Sequence, residues 1–500
     1  MPKAILSVYD KTGLVELASG LAELGWQLIA TGGTARMLAE HGLPVVEAAD
    51  YTGSPEVLGG RVKTLHPALL AGVLARQQES DLAELAGQGW EPIDLVVVNL
   101  YPFEATVAKA DVTREEAIEN IDIGGVTLMR AAAKNCERVT LLCDPQDYAE
   151  ALESLRNSAE VAEEQRRRLA LKGFRVTAAY DAAILAYFSG QQSETLTLYP
   201  LQSLRYGENP HQPAELYGYA PDSSPLGGRV LQGKELSYNN LLDLDAAWRA
   251  VISFEQTSMC IVKHLSPCGI ASAETVLEAY RAALASDPVS AYGGVIACNR
   301  PIDRAAAEAM AELFIECICA PGYEAEAREI FNHKKNLRLV EMPNLSSEPD
   351  FELRSITSGL LKQAVDRGDP AGTIWRVVSQ RQPSAQEWQA LKFAWKACRH
   401  VKSNAIVFAR GEATVGIGGG QPNRIDCVRI AIERAGEKSK GAVMASDAFF
   451  PFPDSVELAA RAGITAIIQP GGSLRDAEAL AAANAAGMAM VVSGVRHFRH

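Results

Sequence analysis

The chain alternates two apolar periods from its first residues. Ala4-Ile5-Leu6-Ser7-Val8 reads as a buried strand, and Leu14, Leu17, Ala18, Leu21 and Leu24 then follow at the spacing of one helix face. Gly25 ends that helix. Gln27-Leu28-Ile29-Ala30 is a second strand, and a helix then runs through Leu38 to Gly42. Leu43 to Val46 is a third strand, Asp94 to Leu100 a strongly apolar buried one, and Arg138 to Cys143 another. Strand and helix in alternation predict a parallel sheet with helices on both faces. After Pro145 the pattern turns charged and helical, through Glu163 to Arg168 and on from Lys172 to Phe188. The polar stretch Ser189 to Glu194 reads as a linker.

The second half carries a different rhythm. A helix follows Lys234 to Asn240, with Leu241, Leu244, Ala247 and Trp248 on one face. The strand Cys260-Ile261-Val262 runs into Lys263-His264, and Pro267-Cys268-Gly269 is expected to make the turn that stops it. Helices over Val276 to Leu284 and Asp303 to Leu313 alternate with strands Val295 to Cys298 and Ile315 to Cys319. Leu391 to Cys398 is again helical, with strands at Ala405 to Ala409, Ile464 to Ile468 and from Val491. Two helix–strand passages of similar order suggest an internal duplication. The divisions expected are 1–195, with its sheet core over about 1–145, and 196–500, itself split near 365.

Length and charge narrow the classes. A chain of 500 residues is too long for one core, and a 48% hydrophobic share is that of an ordinary globular protein. A net charge of −13 with no basic cluster argues against nucleic acid or an anionic membrane as partner. No run of about 18 apolar residues is present, and Met1-Pro2-Lys3 leads directly into a strand, without a secretory leader. The cysteines, nine in number, include no Cys-x-x-Cys; Pro267-Cys268 opens a zinc-deaminase signature, but residue 271 is alanine. Reduced, buried thiols in a cytoplasmic protein without a zinc site are therefore expected.

In open α/β sheets, ligands sit beyond the carboxyl ends of the strands, and the polar loops of the first half fall there. Thr31-Gly32-Gly33-Thr34 opens a helix after a strand, which suits a phosphate, though a capped Gly-Gly turn explains it too. Ser7 and Lys11 belong beside it. Gly59 to Pro67 brings Arg61, Lys63 and Thr64; Asn99 to Phe103 brings Tyr101; Ile121 to Gly125 brings Asp122 before a helix with Arg130 and Lys134. Lysines, a phenol and a carboxylate suit proton transfer on a phosphorylated substrate. In the second half, Arg205 and Tyr206 lie in a turn-rich loop, where an arginine can fork onto a phosphate. Lys263 offers a fixed charge and His264 a proton acceptor near neutral pH. Successive strand residues face opposite ways, so both can reach one substrate only if the pleat is lost at Lys263. Gly416-x-Gly418 lacks the third glycine of a dinucleotide fingerprint. Phe449, Phe450 and Phe452 could wall a flat ligand or simply cover a strand.

The segments GGRVKTLHP, NLYPF, IDIGGVTLMRAAAKN, LRYGENPHQ, VKHLSPCG, GIGGGQPNR and SDAFFPF, in this order, resemble the bifunctional AICAR transformylase/IMP cyclohydrolase family of purine biosynthesis across essentially the whole chain. The resemblance implies a methylglyoxal-synthase-like first domain and two cytidine-deaminase-like units without zinc. It implies formyl transfer from 10-formyltetrahydrofolate, a co-substrate, to AICAR, then dehydrative closure of formyl-AICAR to IMP. By resemblance Lys263 and His264 are the transformylase pair. Arg205, Tyr206, Asn240, Gly293, Glu316, Asn404, Arg424 and Phe449 match substrate positions, and Asp454, Ser473, Leu474 and Arg496 match folate positions. Glu316 stands where some relatives carry aspartate. Lys134 matches the cyclohydrolase proton acceptor, with Lys63, Tyr101 and Asp122 in the same site. Ser7, Lys11, Thr31, Gly32, Gly33, Thr34, Arg61, Thr64, Asn99 and Ile123 match its nucleotide contacts, and Tyr9 replaces a residue often small in relatives. A homodimer with the transformylase site at its interface is implied; a monovalent cation is left open. The rival readings are an enzyme that keeps one activity and a non-catalytic nucleotide sensor.

Overall fold

The computed structural model describes residues 1–190, 196–346 and 349–500. The expected linker, from 191 on, and the 195 boundary lie outside them. The described chain forms two compact units, Met1–Leu196 and Thr197–His500.

In the first unit, strands β1 (Lys3–Ser7), β2 (Gln27–Ala30), β3 (Val45–Glu47), β4 (Leu95–Val98) and β5 (Thr140–Leu142) form one sheet in the order β3-β2-β1-β4-β5. Every pairing is parallel. The strands are apolar except at end positions (Lys3, Ser7, Gln27, Glu47 and Thr140), because both faces are covered. Ala4, Leu6, Leu28, Ala30, Leu95 and Val97 enter a core with the helices Leu14–Glu23 and Tyr148–Ser158. Their neighbours Ile5, Ile29, Val96 and Val98 turn to the opposite core, under the helices Pro67–Leu74 and Gly124–Lys134. The helix Glu163–Ser189 completes the unit.

The second unit opens with a ribbon of β6 (Tyr199–Leu204) and β7 (Ala214–Gly218), then β8 (Arg229–Gln232), β9 (Thr257–Lys263), β10 (Ser266–Ala273), β11 (Gly294–Cys298), β12 (Ile315–Ala320) and β13 (Arg338–Glu341). A second ribbon, β14 (Phe351–Ile356) with β15 (Gly359–Ala364), precedes β16 (Arg376–Val377), β17 (Ala405–Arg410), β18 (Ala413–Gly419), β19 (Val443–Ser446), β20 (Ala466–Gln469) and β21 (Ala489–Val492). Twelve of these form one sheet, ordered β16-β21-β20-β19-β17-β18-β10-β9-β11-β12-β13-β8. Read outward from the β18–β10 junction, the two sides run hairpin, then three parallel strands, then a short antiparallel edge strand. The helices Tyr238–Ile252 and Ala385–Cys398 lie in one core common to both sides, whereas the opposite face carries two separate cores.

Two corrections concern the Lys263 region. The turn is made by His264 and Leu265, not by Pro267-Cys268-Gly269, which lies inside β10 at a register irregularity. The strand keeps its pairing through Lys263, opposite Ser266, and breaks one residue later than expected.

Glycines let helices sit close against the central hairpins. A Cβ on Gly269 would collide with the Ala283 carbonyl oxygen, and one on Gly418 with the Cys427 carbonyl oxygen. Neither obstacle is a flexible side chain, so a helix must move. Gly418→Ala is expected to destabilise the second unit by about 3 kcal/mol, which urea unfolding followed by circular dichroism will measure.

Candidate active site

The carboxyl ends of β1, β2 and β4 gather most of the predicted residues of the first unit. Thr31 follows β2 as N-cap of the helix Gly32–Glu40, and its hydroxyl lies 3.1 Å from that of Ser7 at the end of β1. Thr34 is buried and its hydroxyl donates to the Val8 carbonyl, tying the helix start to β1. Lys63 reaches over that helix start: a Cβ on Gly32 would lie 3.6 Å from its Nζ. Glu56 is a loose partner at 3.7 Å. A cation over first-turn amides makes a place for an anion. Gly33 adjoins, and Lys11 is exposed on the loop after β1.

Asn99 and Thr64 have structural duties. The Asn99 Oδ1 accepts from the amides of Tyr9 and Asp10 at 2.7 and 3.0 Å, pinning the β1 loop. The buried Thr64 packs on Gly124, where a Cβ would lie 2.6 Å from its hydroxyl. Arg61 is exposed and paired with Glu119. Ile123 is exposed at the start of the helix Gly124–Lys134.

Tyr101 is partly exposed, its ring edge-on to Tyr9 with centroids 5.6 Å apart. Its amide donates to Asp122 Oδ2 at 3.4 Å, and Gly125 N donates to Oδ1 at 2.7 Å. Burial pushes the Asp122 carboxyl above the usual carboxylate range, against the opposing effect of amide donors from Gly125, Tyr101 and Val126. Tyr180, on the helix Glu163–Ser189, accepts from the Asp122 amide at 2.9 Å and donates to Asn120 O at 3.2 Å. Nothing in the local sequence points to Tyr180, which lies 58 residues from its partner.

Lys134 does not join this cluster within the chain. It is exposed at the last turn of the helix that Asp122 precedes, so about 15 Å of helix rise separates it from Gly124. Its neighbour Asn135 bonds to Val73 and Ala75, and Arg138 to Asp94, at the opposite, amino-terminal edge of the sheet. The motif spans one helix, and its two ends face opposite edges.

In the second unit, His264 and Leu265 both adopt left-handed backbone, φ 55° and 62°, as a two-residue hairpin of this kind requires. Neither is glycine, so the turn is strained. Asp243, from the helix Tyr238–Ile252, braces it: Oδ2 accepts from His264 N at 3.1 Å and Oδ1 from Leu265 N at 2.6 Å. The turn leaves His264 exposed at the tip while Lys263 donates to the Tyr292 carbonyl at 2.8 Å, next to Gly293. Lys263 and His264 are thus presented side by side. Sequence reasoning missed Asp243; a non-glycine pair in a tight hairpin was its only signal.

Most of the other predicted residues of this unit belong to loops at the same sheet edge. It carries the ends of β9, β18, β19, β20 and β21 and the starts of β11, β12 and β17. Glu316 is paired with Arg338 at 2.7 Å. Arg424 is buried, its guanidinium on Asp447 at 2.5 Å, Ser446 at 2.8 Å and Asn404 Oδ1 at 2.7 Å, so it organises the edge from within. Asn240 is buried too, its side chain closing a capping box with Ser237. Asn240 thus serves a helix cap, and Arg424 is held by neighbouring side chains. Phe449 is partly exposed, Asp454 starts a helix and accepts from Ser455 N, and Leu474 is fully exposed beside Ser473. Arg496 lies over the Phe498 ring, and Arg205, exposed after β6, over Tyr206.

Two units with ionisable clusters at sheet edges define a two-site α/β protein, and comparison with known proteins agrees. A model described as MGS-like domain matches residues 13–127, and one described as AICARFT/IMPCHase bienzyme matches residues 132–434. A bifunctional purine biosynthesis protein PurH from Nostoc sp. is 53% identical, covering 99% of both chains. One of the same description from Bacillus anthracis is 50% identical over all of this chain and 99% of its own. A solved structure described as the crystal structure of ForH aligns with 37% of this chain and 98% of its own, at 41% identity and a TM-score of 0.34. The chain belongs to the AICARFT/IMPCHase bienzyme family.

Two outcomes test the geometry. Asp243→Asn leaves one turn amide without its acceptor, with an expected loss of about 1–2 kcal/mol and faster hydrogen exchange at His264 and Leu265 than in the parent. Asp122 has a raised folded-state value, so its contribution to stability is present at low pH and lost as pH rises through that value. The stability difference between Asp122→Asn and the parent is therefore expected to shift in the variant's favour from about pH 3 to about pH 7, read by urea titrations.

Proposed function

We propose that this chain carries out the last two steps of IMP synthesis, one in each unit. In the second unit the 5-amino nitrogen of AICAR attacks the formyl carbon of 10-formyltetrahydrofolate. His264 takes the proton the amine loses, and Lys263 stabilises charge on the formyl oxygen until the bond to folate nitrogen breaks. In the first unit the carboxamide nitrogen of formyl-AICAR attacks its own formyl carbon and water leaves, giving IMP. The helix start at Thr31–Thr34 and Lys63 suit the substrate's phosphate or developing charge, and Tyr101 and Asp122 handle protons at the closing ring.

The observation that carries this reading is the braced turn. A fold that needed only a hairpin would place glycine there, and in the corresponding hairpin between β17 and β18 Gly411 takes the left-handed position. Strain retained at His264 next to a fixed ammonium supports a catalytic pair and weighs against a sensor, which needs only phosphate contacts.

Lys134 was assigned the proton acceptor by resemblance. Its distance from Asp122 favours Lys63, Tyr101 and Asp122 in that role, with Lys134 outside the chemistry.

The matching strand order on the two sides of the large sheet favours two cytidine-deaminase-like repeats, divided near 365. A homodimer completes the reading. The predicted edge residues extend from β12 to β21, on the order of 40 Å at usual strand spacing, too far for one substrate to touch within one chain. Arg205 stands exposed beside a half-buried Tyr206 in the loop between β6 and β7, and the β14–β15 ribbon exposes Ile356, Leu360 and Leu361. Both suit contact with a second copy. We place the enzyme in the cytoplasm, where its substrates and reduced thiols belong.

Separate activities test the assignment. His264→Ala is expected to abolish formyl transfer, read by tetrahydrofolate absorbance, and to leave closure of added formyl-AICAR intact. Lys63→Met and Tyr101→Phe are expected to do the reverse, by about a hundredfold or more, while Lys134→Met keeps ring closure within about threefold. Loss of both activities in a folded His264→Ala variant would overturn the two-site assignment.

A further inference from the structure

A cavity of about 1400 Å³ lies within the second unit, and none of the residues assigned above to either reaction lines it. One wall is a single face of the helix Ala385–Cys398 and its end, where Trp388, Lys392, Trp395, Lys396 and Arg399 recur at three- and four-residue spacing. Trp375 closes the apolar side. Its ring lies 6.3 Å from Trp388, at 20°, and 6.2 Å from Trp395, at 79°.

The charge around these indoles is one-sided. Asp369 is the one carboxylate among the described lining residues, and its oxygens are already taken by Trp375 Nε1 at 2.7 Å, Trp395 Nε1 at 3.0 Å and His497 Nε2 at 2.8 Å. It fixes two of the three indoles in place and has little left for a cation. Arg249 has its own partners in Asp245 and Glu352. Lys396 is held 5.3 Å from the Phe254 ring, and burial, with Arg399 nearby, lowers its pKa. Its ammonium is kept in a place that disfavours charge, which an anion would relieve. Cations in the last turn of a helix are also favoured by the dipole. That effect does not reach Lys392, which lies deeper in the helix.

We propose that this cavity is a binding site for a planar aromatic anion, its ring against Trp375, Trp388 and Trp395 and its negative group on Lys392 and Lys396. Fixed indoles supply ring contacts at little entropic cost, and two lysines above them supply charge. A nucleoside phosphate and an aromatic carboxylate share this chemistry.

The test uses the full-length protein and the fluorescent probe anilinonaphthalene sulfonate. Lys392→Met and Lys396→Met are each expected to weaken probe binding about tenfold, with both enzymatic activities unchanged. Lys392 is exposed, so its variant remains informative if Lys396→Met folds poorly. In the second arm, adenosine monophosphate or 4-aminobenzoylglutamate displaces the probe, which tells phosphate from carboxylate, and uncharged adenosine does so about tenfold less well. Titrations that superimpose for parent and both variants overturn the proposal, as they would if a second copy filled the cavity. Displacement by neither anion, or equally well by adenosine, also overturns it.

Discussion

The second unit turns on one carboxylate holding two amides. A two-residue hairpin needs left-handed backbone, and glycine or asparagine supplies it at little cost. His264 and Leu265 do not, so the turn stands only because Asp243 accepts both of its N–H groups. Asp243 can do so because its helix, Tyr238–Ile252, is anchored by Leu244, Ala247 and Trp248 in the core shared by both sides of the large sheet. The position of the imidazole is thus set by the deepest packing in the unit. The strain is local and its restraint is global, the arrangement expected where geometry serves chemistry.

The first unit reaches the same end differently. Its parallel sheet needs no strained turn, because every strand delivers its following loop to one edge. Side chains there divide the labour. Asn99, Thr34 and Thr64 hold the loops together, and Lys63, Tyr101 and Asp122 are left with atoms free to act. Tyr180 shows how far that support extends: a phenol on the long helix fixes the backbone on which Asp122 stands.

The fold of the first unit was largely legible, since doubly covered parallel strands are apolar between their ends and their helices keep an apolar face. In the second unit β9, β11, β12, β17, β20 and β21 were legible, but not the two ribbons, the edge strands β8 and β16, the strands β10, β13, β18 and β19, or the turn. Pro-Cys-Gly is the stronger turn signal in sequence, and it yields because a distant carboxylate supplies what glycine would have. Lys263, His264 and Lys63 were legible as candidates because ionisable side chains stand there at a strand end and in a turn-rich loop. What the sequence did not show is which candidates the fold itself uses, Asn240 in a helix cap and Arg424 on Asp447, Ser446 and Asn404. A one-dimensional motif also hides direction. The helix after Gly125 was legible in IDIGGVTLMRAAAKN, but not that its eleven residues carry Lys134 towards the far edge of the sheet.

That last point bears on how the two chemistries are divided. Ring closure needs a proton removed from one nitrogen and delivered to a departing oxygen, both within a few ångströms of one carbon. A group at the amino-terminal edge cannot serve either position in its own chain, whatever its basicity, because proton transfer demands hydrogen-bond contact or one intervening water. Lys63, over the start of the helix Gly32–Glu40, and Tyr101, tied through its amide to Asp122, lie together at the carboxyl edge. Asp122, with its carboxyl raised by burial, keeps its proton to a higher pH than an ordinary carboxylate does. The geometry therefore favours the proposed trio at the carboxyl edge, while Lys134 stands exposed at a helix C-terminus, where the dipole favours a cation.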